Sequence, residues 1–367
     1  MKILKVSYSL TSGGAERLVV DLCNELILKH EVHLLTILDD EEGDNRFYKE
    51  FLSEKVKYHC ANEKKGFSIT KIYRLNKIIN QIAPDIVHFH GAGIILYFIP
   101  IILLNRRFKY LETLHNAADR IYTRKNYSYI LKPIIRMNLV QMITISDVNK
   151  LSLERQLNVT NSTLIYNGRS LPTCSAHFKD VKIEVDGYKN NENDMVFIHI
   201  GRCSPQKNQK MLISVFNNLQ SRKINCILLI IGANFDSKLG IEIKQMANPN
   251  IHFLGIKPNV IDYMLCSNAF CLSSIYEGMP ISLIEAFACE TVAICTPTSG
   301  AKDLIQDGKT GFISDSFSEN SYLQAVQRFI NNKPIDKKLL KEIYSNVFSI
   351  EKCAQLHEEL YMKIISC

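Results

Sequence analysis

Glu277 and Glu285 stand eight positions apart in the run Ser274-Ile275-Tyr276-Glu277-Gly278-Met279-Pro280-Ile281-Ser282-Leu283-Ile284-Glu285-Ala286, across a turn that becomes a helix. The apolar Asn268-Ala269-Phe270-Cys271-Leu272 before it reads as a buried strand end. Leu283 to Cys289 reads as a helix with Ser282 as its N-cap. A strand, a Gly/Pro turn and a helix N-terminus together suit an anion. Carboxylates on both sides of such a site suit a ligand that also carries sugar hydroxyls, from which they accept hydrogen bonds. The combination points to a nucleotide-sugar. A plainer reading stands beside it: Ser282-x-x-Glu285 also has the form of a capping box, and Glu277 before Gly-Met-Pro is also an ordinary turn acid.

A second constellation is Gly201-Arg202-Cys203-Ser204-Pro205-Gln206-Lys207-Asn208, which sets two cations after a strand and at a helix start. Cations there oppose the helix dipole, so a bound anion explains them better than helix stability does. A diphosphate fits, with Arg202 binding bidentately and Lys207 acting as a point charge. Gly13 and Gly14, in Thr11-Ser12-Gly13-Gly14-Ala15-Glu16, let backbone approach a ligand closely, or simply make a tight turn. His115 follows an apolar strand. His88 and His90 are read as alternating in direction, so that at most one faces the ligand. The acidic run Asp39-Asp40-Glu41-Glu42 is read as a solvated loop rather than a metal site.

These residues need scaffolds, and the pattern supplies two. Strands are expected at Ile3–Tyr8, Val32–Leu38, Asp85–His90, Lys109–Leu114, Gln141–Ile145 and Leu164–Tyr166, with helices near Ala15–Leu28 and Ile69–Ile82 and a helix capped by Ser146. Residues 169–193 are polar, lack periodicity and read as a linker. The alternation then restarts, with strands at Met195–Ile200, Cys226–Ile231, Ile251–Leu254, Thr291–Cys295 and Gly311–Ser314. A helix is expected from about Asn208 to Leu219, and terminal helices over 318–331 and 349–366. The fold class is therefore α/β, with two doubly wound, Rossmann-like parallel sheets. In such sheets ligands bind beyond the strands' C-terminal ends, where the candidate residues of both halves fall, and two such edges facing each other would form a cleft.

With 367 residues the chain has room for two cores. Eleven scattered cysteines, with no Cys-x-x-Cys pair, argue for a reducing cytoplasm and core roles for Cys23, Cys226 and Cys271. No Cys/His cluster has metal-ligand spacing, so neither metal nor cofactor is expected. The start, Met1 to Val6, reads as a strand rather than a signal peptide, and the apolar run Ile94–Leu104 is too short to span a bilayer. The net charge of +7 is unevenly placed. Eight basic residues (Arg106, Arg107, Lys109, Arg120, Arg124, Lys125, Lys132, Arg136) face only Glu112 and Asp119 between 106 and 136. Such a cluster suits an anionic membrane surface or acceptor, or a solvated basic face; nucleic acid is disfavoured, since no recognisable stacking motif accompanies it.

Taken together, Gly201-Arg202-x4-Lys207-Asn208, Glu277-x7-Glu285-Ala286-x-Ala288-Cys289 and Asp307-Gly308-x-Thr310-Gly311-Phe312 resemble the retaining glycosyltransferases of family four, of GT-B architecture. Gly13-Gly14-Ala15-Glu16-Arg17, Asp85-Ile86-Val87-His88-x-His90-Gly91 and His115 extend the resemblance into the first half. It implies an acceptor-side domain at 1–170, a linker at 171–193, a donor domain at 194–349 and a helix at 350–367 returning to the first domain. It also implies that Gly13, Gly14 and the helix start at Ser282-Leu283 meet the donor diphosphate, and that Arg202 and Lys207 neutralise the departing nucleoside diphosphate. Glu277, with Gly278, Met279, Pro280 and Ile281, would hold the donor sugar; Glu285 would take the ribose, Ile256 the base, and His115 would lie against the transferred sugar. The turn here reads Glu-Gly-Met-Pro where the family commonly has Glu-Gly-Phe-Gly.

The expected activity is metal-independent, retaining transfer of a hexosyl or N-acetylhexosaminyl group. The donor would be a nucleotide-sugar, best UDP-linked, and the acceptor a saccharide, best lipid-linked, in capsule, O-antigen or exopolysaccharide synthesis. The enzyme would be cytoplasmic, with peripheral contact at the inner face of the plasma membrane. The alternatives are a nucleotide-sugar epimerase of the same architecture and a non-catalytic sugar-nucleotide-binding subunit.

Overall fold

A computed structural model of the chain describes every residue except 12, 44, 92, 116–117, 119–124, 332–334 and 367; side chains at 125–128 are also undescribed. The chain divides into two compact units, Met1–Ser170 with Val347–Cys367, and Leu171–Asn346.

In the first unit, strands β1 (Lys2–Ser7), β2 (Glu31–Leu38), β3 (Lys57–Glu63), β4 (Ile86–His90), β5 (Lys109–Leu114), β6 (Val140–Thr144) and β7 (Ser162–Leu164) form one sheet. Its order is β3-β2-β1-β4-β5-β6-β7 and every pairing is parallel. Strands covered on both faces read as near-continuous apolar runs, which made most of them legible. The edge strand β3, Lys-Tyr-His-Cys-Ala-Asn-Glu, was missed because only Ala61 in it is fully buried. The apolar run Ile94–Leu104 forms a 3₁₀ turn (Ile94–Phe98) and a short helix (Ile99–Leu104). Ile94, Ile95, Phe98 and Ile102 are wholly buried, so this run belongs mainly to the core, with Leu103 and Leu104 left exposed.

The helix Gly14–Leu26 buries Leu18, Val19, Leu22, Cys23 and Leu26, a stripe at helical spacing. The C-terminal helix Ile350–Ser366 answers with Ile350, Cys353, Ala354, His357, Leu360 and Tyr361, in one shared apolar core. Gly168 permits the return. A Cβ there would lie 2.5 Å from the Cys353 Cβ and 2.7 Å from the Ser349 carbonyl oxygen. Arg169 N–H donates to the Phe348 carbonyl, Ile350 N–H donates to the Arg169 carbonyl, and the Arg169 guanidinium pairs with buried Asp21.

In the second unit, β8 (Met195–Ile200), β9 (Cys226–Ile231), β10 (Ile251–Gly255), β11 (Ala269–Leu272), β12 (Val292–Cys295) and β13 (Gly311–Ile313) form a sheet of order β10-β9-β8-β11-β12-β13, again parallel throughout. The stretch read as a linker holds a helix, Phe178–Gly187, that buries Val181 and Val185. Two buried positions in ten residues gave too weak a periodicity to see. This stretch is tied to the second unit: Ser175 N–H donates to Asp262 Oδ1 at 2.9 Å and Tyr263 O–H to Glu184 Oε2 at 2.7 Å.

Candidate active site

Both sheets reverse their winding once. The second runs outward from β8 to β10 and then crosses back to place β11 beside β8. Ligands of doubly wound sheets bind at such a switch point. Arg202 and Lys207 follow β8, and Glu277 follows β11, so residues 70 apart in sequence descend from adjacent strands.

Lys207 Nζ donates to Glu277 Oε1 at 2.7 Å, and Ser274 O–H donates to the same oxygen at 2.7 Å. The Glu277 carbonyl accepts from Ser299 Oγ at 3.0 Å and from Gly300 N–H at 3.2 Å. Gly300 has to be glycine, since a Cβ would collide with the Gly278 backbone. The loop that carries Lys207 is held as well: Ser273 O–H donates to the Lys207 carbonyl, and Ile275 N–H to the Gln206 carbonyl. Gly201 leaves room for the Lys207 stem, whose Cδ and Cε lie 3.3 Å from where a Cβ would be.

Arg202 is exposed, while its carbonyl is fixed by Gln209 Nε2 at 2.9 Å. Gln209 in turn donates to His199 Nε2, and His199 Nδ1–H donates to the Cys271 carbonyl. That fixes the His199 tautomer, and burial pulls its pKa down to about 4. The loop after β9 carries Asn234 at φ 67°, in the left-handed region that Asn tolerates best after glycine.

The helix after the turn spans Ile281–Ala288, and its N-cap is Pro280. This corrects the expected start: Ser282 lies inside the first turn, and Ser282 with Glu285 cannot form a capping box around a cap that lies two residues earlier. Pro280 supplies no side-chain cap. Gly278 is half-buried, Met279 and Pro280 are buried, Ile281 and Ser282 are half-buried, and Leu283 is fully buried. Glu285 sits within the helix at 6% exposure. Ile256, just past β10, is exposed.

In the first unit the switch lies between β1 and β4. Gly13, the uncapped N-cap of the Gly14–Leu26 helix, follows β1, and Gly14 is exposed. A Cβ on Gly13 would strike the Glu16 carboxylate. His90 ends β4, and His115 follows β5 with its Nε2 3.2 Å from His90 Nδ1. His88 and His90 do not alternate. Residues two apart on a strand share a face, and their rings lie 4.1 Å apart beside the buried Lys5. Asp40 is likewise not solvated: it is buried, accepting from Tyr58 O–H at 2.6 Å and Lys49 Nζ at 2.9 Å. Ser12, Asn116, Asp119, Arg120 and Arg124 lie outside the described residues.

Residues 12–171 match the family Glycosyltransferase Family 4, and residues 180–346 match Glycosyl transferases group 1. The chain belongs to the family 4, GT-B glycosyltransferases. It is 24% identical over 378 residues to the capsular polysaccharide biosynthesis glycosyltransferase CapH of Staphylococcus aureus, covering 99% of each chain. It is 25% identical over 357 residues, 90% of each chain, to the N-acetylgalactosamine-N,N'-diacetylbacillosaminyl-diphospho-undecaprenol 4-alpha-N-acetylgalactosaminyltransferase of Campylobacter jejuni. Among solved structures, Anabaena Alr3699/HepE in complex with UDP and glucose superposes with a TM-score of 0.81 at 16% identity, covering 99% of this chain and 100% of that one.

Several residues that hold the candidate residues escaped sequence reading: Ser274, Ser299, Gly300, His199 and Gln209 in the second unit, and Lys5 in the first. Each acts through another residue rather than through a motif. The one available signal was the unexplained Lys5, a cation in the middle of an otherwise apolar first strand.

Proposed function

We propose that this glycosyltransferase moves a hexosyl or N-acetylhexosaminyl group from a UDP-linked donor to a lipid-linked saccharide, in capsule, O-antigen or exopolysaccharide synthesis, with the anomeric configuration retained. The observation that carries the proposal is the Lys207–Glu277 pair at the switch point, with Arg202 on the same loop after β8. Two fixed cations there stabilise the charge that grows on a leaving nucleoside diphosphate, a task other transferases give to a metal; this is the ground for proposing metal independence. Glu277 accepts from sugar hydroxyls, with the backbone of Gly278 to Ile281 beside it, and Glu285 accepts from the ribose. Ser282 and Leu283, with Gly13 and Gly14, meet the diphosphate; Ile256 meets the base; His115 lies against the transferred sugar. The name of the Campylobacter jejuni relative, with its diphospho-undecaprenol, supports a lipid-linked acceptor, and that of CapH supports a capsular product.

Peripheral contact with an anionic membrane belongs to the same proposal. No helix of the described residues is long and apolar enough to cross a bilayer. The stretch 64–84 holds no acid but five cations, of which Lys64, Lys65 and Lys77 are exposed, Arg74 is exposed and paired with Glu63 and Lys71 is buried, and it exposes Phe67, Ile69 and Tyr73. It packs beside the segment that exposes Leu104 ahead of Arg106 and Arg107, through Asn76, which bonds the Tyr97 carbonyl and the Ile101 N–H. Exposed aromatics flanked by cations suit an anionic lipid surface.

The test is a panel of nucleotide-sugars with EDTA present, read as nucleoside diphosphate release. Release from one donor, lost in Arg202→Ala and Glu277→Ala, supports the reading and names the sugar. Donor binding without release, even with lipid-linked acceptors, overturns it in favour of a binding subunit.

A further inference from the structure

Lys5 lies in the middle of β1 with no exposed surface, an unusual place for an ammonium group. Its Nζ has three partners: His88 Nδ1 at 2.9 Å, Tyr361 Oη at 2.8 Å and His90 Nε2 at 3.2 Å. The strand register explains the meeting, since Lys5 pairs with His88 across β1 and β4. An ammonium has three donors and no acceptor, so all three partners receive from it.

The consequence propagates. His90 Nε2 accepts, so a neutral His90 carries its hydrogen on Nδ1. That N–H points at His115 Nε2, 3.2 Å away, and donates to it. His115 Nε2 is then an acceptor, and the hydrogen of His115 resides on Nδ1, an atom that is covered and has no hydrogen-bond partner among the described residues. On the other branch the single lone pair of His88 Nδ1 is shared between Lys5 Nζ and Tyr361 O–H, and His88 Nε2–H donates to Thr113 Oγ1 at 2.7 Å. We propose that Lys5 is a positioning residue that holds His115 neutral in a single tautomer, through the directed chain Lys5 to His90 to His115.

The surroundings agree. The other groups around Lys5 are Cys23 from the Gly14–Leu26 helix and Cys353, His357 and Tyr361 from the C-terminal helix. Burial pushes both thiols up to about 12 and raises the Tyr361 phenol well above the usual phenol range, so all three stay neutral. His357 donates from Nδ1 to the Cys353 carbonyl at 2.8 Å, and burial with the Lys5 charge brings it down to about 3. The same two causes bring His115 to about 4 and lower His88 and His90 well below the usual histidine range. Lys5 itself is lowered by burial to about 8, which leaves it the cation of the cluster at neutral pH.

This inference rests on the proposed place of His115 against the transferred sugar. There a fixed neutral ring serves the reaction, because an imidazolium would oppose the positive charge that grows on a sugar ring as its leaving group departs.

The test is nitrogen NMR of histidine side chains, with His115 assigned by its loss in His115→Gln. In the native protein His115 should show the Nδ1–H tautomer and titrate near 4. In Lys5→Met its midpoint should rise by at least one unit and the two tautomers should mix, and any acid limb of transferase activity should move with it. A native His115 in the Nε2–H form overturns the proposal without any variant having to fold. So does an unchanged titration in Lys5→Met. The spectra need no donor, so a failure of the transferase reading shows separately, as correct tautomers in a protein that releases no nucleoside diphosphate.

Discussion

Lys207 Nζ and Glu277 Oε1 are 2.7 Å apart, joining the loop after β8 to the turn after β11. Each is held by further bonds, Glu277 by Ser274 and Lys207 through its own carbonyl by Ser273. The pair thus presents a preset cation and carboxylate at one place. Lys207→Ala and Glu277→Gln should each lower turnover by about 10²–10³-fold, the scale of losing one charge-stabilising donor. Because the two residues touch, the double variant should lose much less than the product of the single losses. Nucleoside diphosphate release from the four proteins closes the cycle, and strictly multiplicative losses would show that the pair does not act as a unit.

Gly168 supports the return of the C-terminal helix by being small. Its would-be Cβ meets backbone at Ser349 and Ile350 as well as the Cys353 side chain, and backbone cannot swing aside. Gly168→Ala should therefore destabilise the first unit by about 1–3 kcal/mol, as overpacking does. A urea titration followed by hydrogen exchange in the Ile350–Ser366 helix measures it, and an unchanged midpoint would mean the junction relaxes without cost.

How far the sequence carried this reading depends on what each residue answers to. Runs such as Cys226–Ile231 and Val292–Cys295 announced themselves because a doubly covered strand is almost wholly apolar. Edge strand β3 and the helix Phe178–Gly187 did not, since each buries only one or two side chains. The motif residues Arg202, Lys207 and Glu277 could be singled out as candidates because their charges are not explained by local helix or turn stability, whereas the Lys207–Glu277 pairing itself joins residues 70 apart and could not be seen. The helix start was misread because Ser282 is a good cap by composition, whereas the chain begins its turn after Pro280. Lys5, His199 and Gln209 stayed hidden, because a buried polar network is defined by partners far away in sequence.

His199 makes the second unit acid-sensitive. Its pKa is about 4 in the folded chain, against an ordinary 6.5. Above 6.5 both states are neutral and nothing depends on pH. Between 6.5 and 4 the unfolded chain takes up a proton that the folded chain refuses, so stability falls as pH falls, by roughly 3 kcal/mol in all. His199→Gln can keep both hydrogen bonds without titrating. Its stability relative to the native protein should improve across that window, as read by exchange protection of β8 and β11. A constant difference between the two proteins would refute the assignment.

The exposed apolar residues of 64–84 give the membrane proposal its sharpest handle. Phe67 stacks on Tyr97, and buried Lys71 donates to the Lys64 and Gly66 carbonyls, so the loop before the helix is built to hold its shape. Ile69, Tyr73 and Lys77 then follow on one outward stripe, opposite buried Lys71, Leu75 and Ile79. Each cation near an anionic leaflet contributes about 1 kcal/mol, so Lys64→Gln with Lys65→Gln should weaken binding to phosphatidylglycerol-containing vesicles about thirtyfold. Phe67→Ser with Tyr73→Ser should weaken it further and leave release of nucleoside diphosphate from a soluble donor intact. Vesicle flotation at two salt concentrations reads both effects. Binding that ignores all four substitutions would move the contact elsewhere on the first unit, and binding that ignores the anionic lipid would end the electrostatic account.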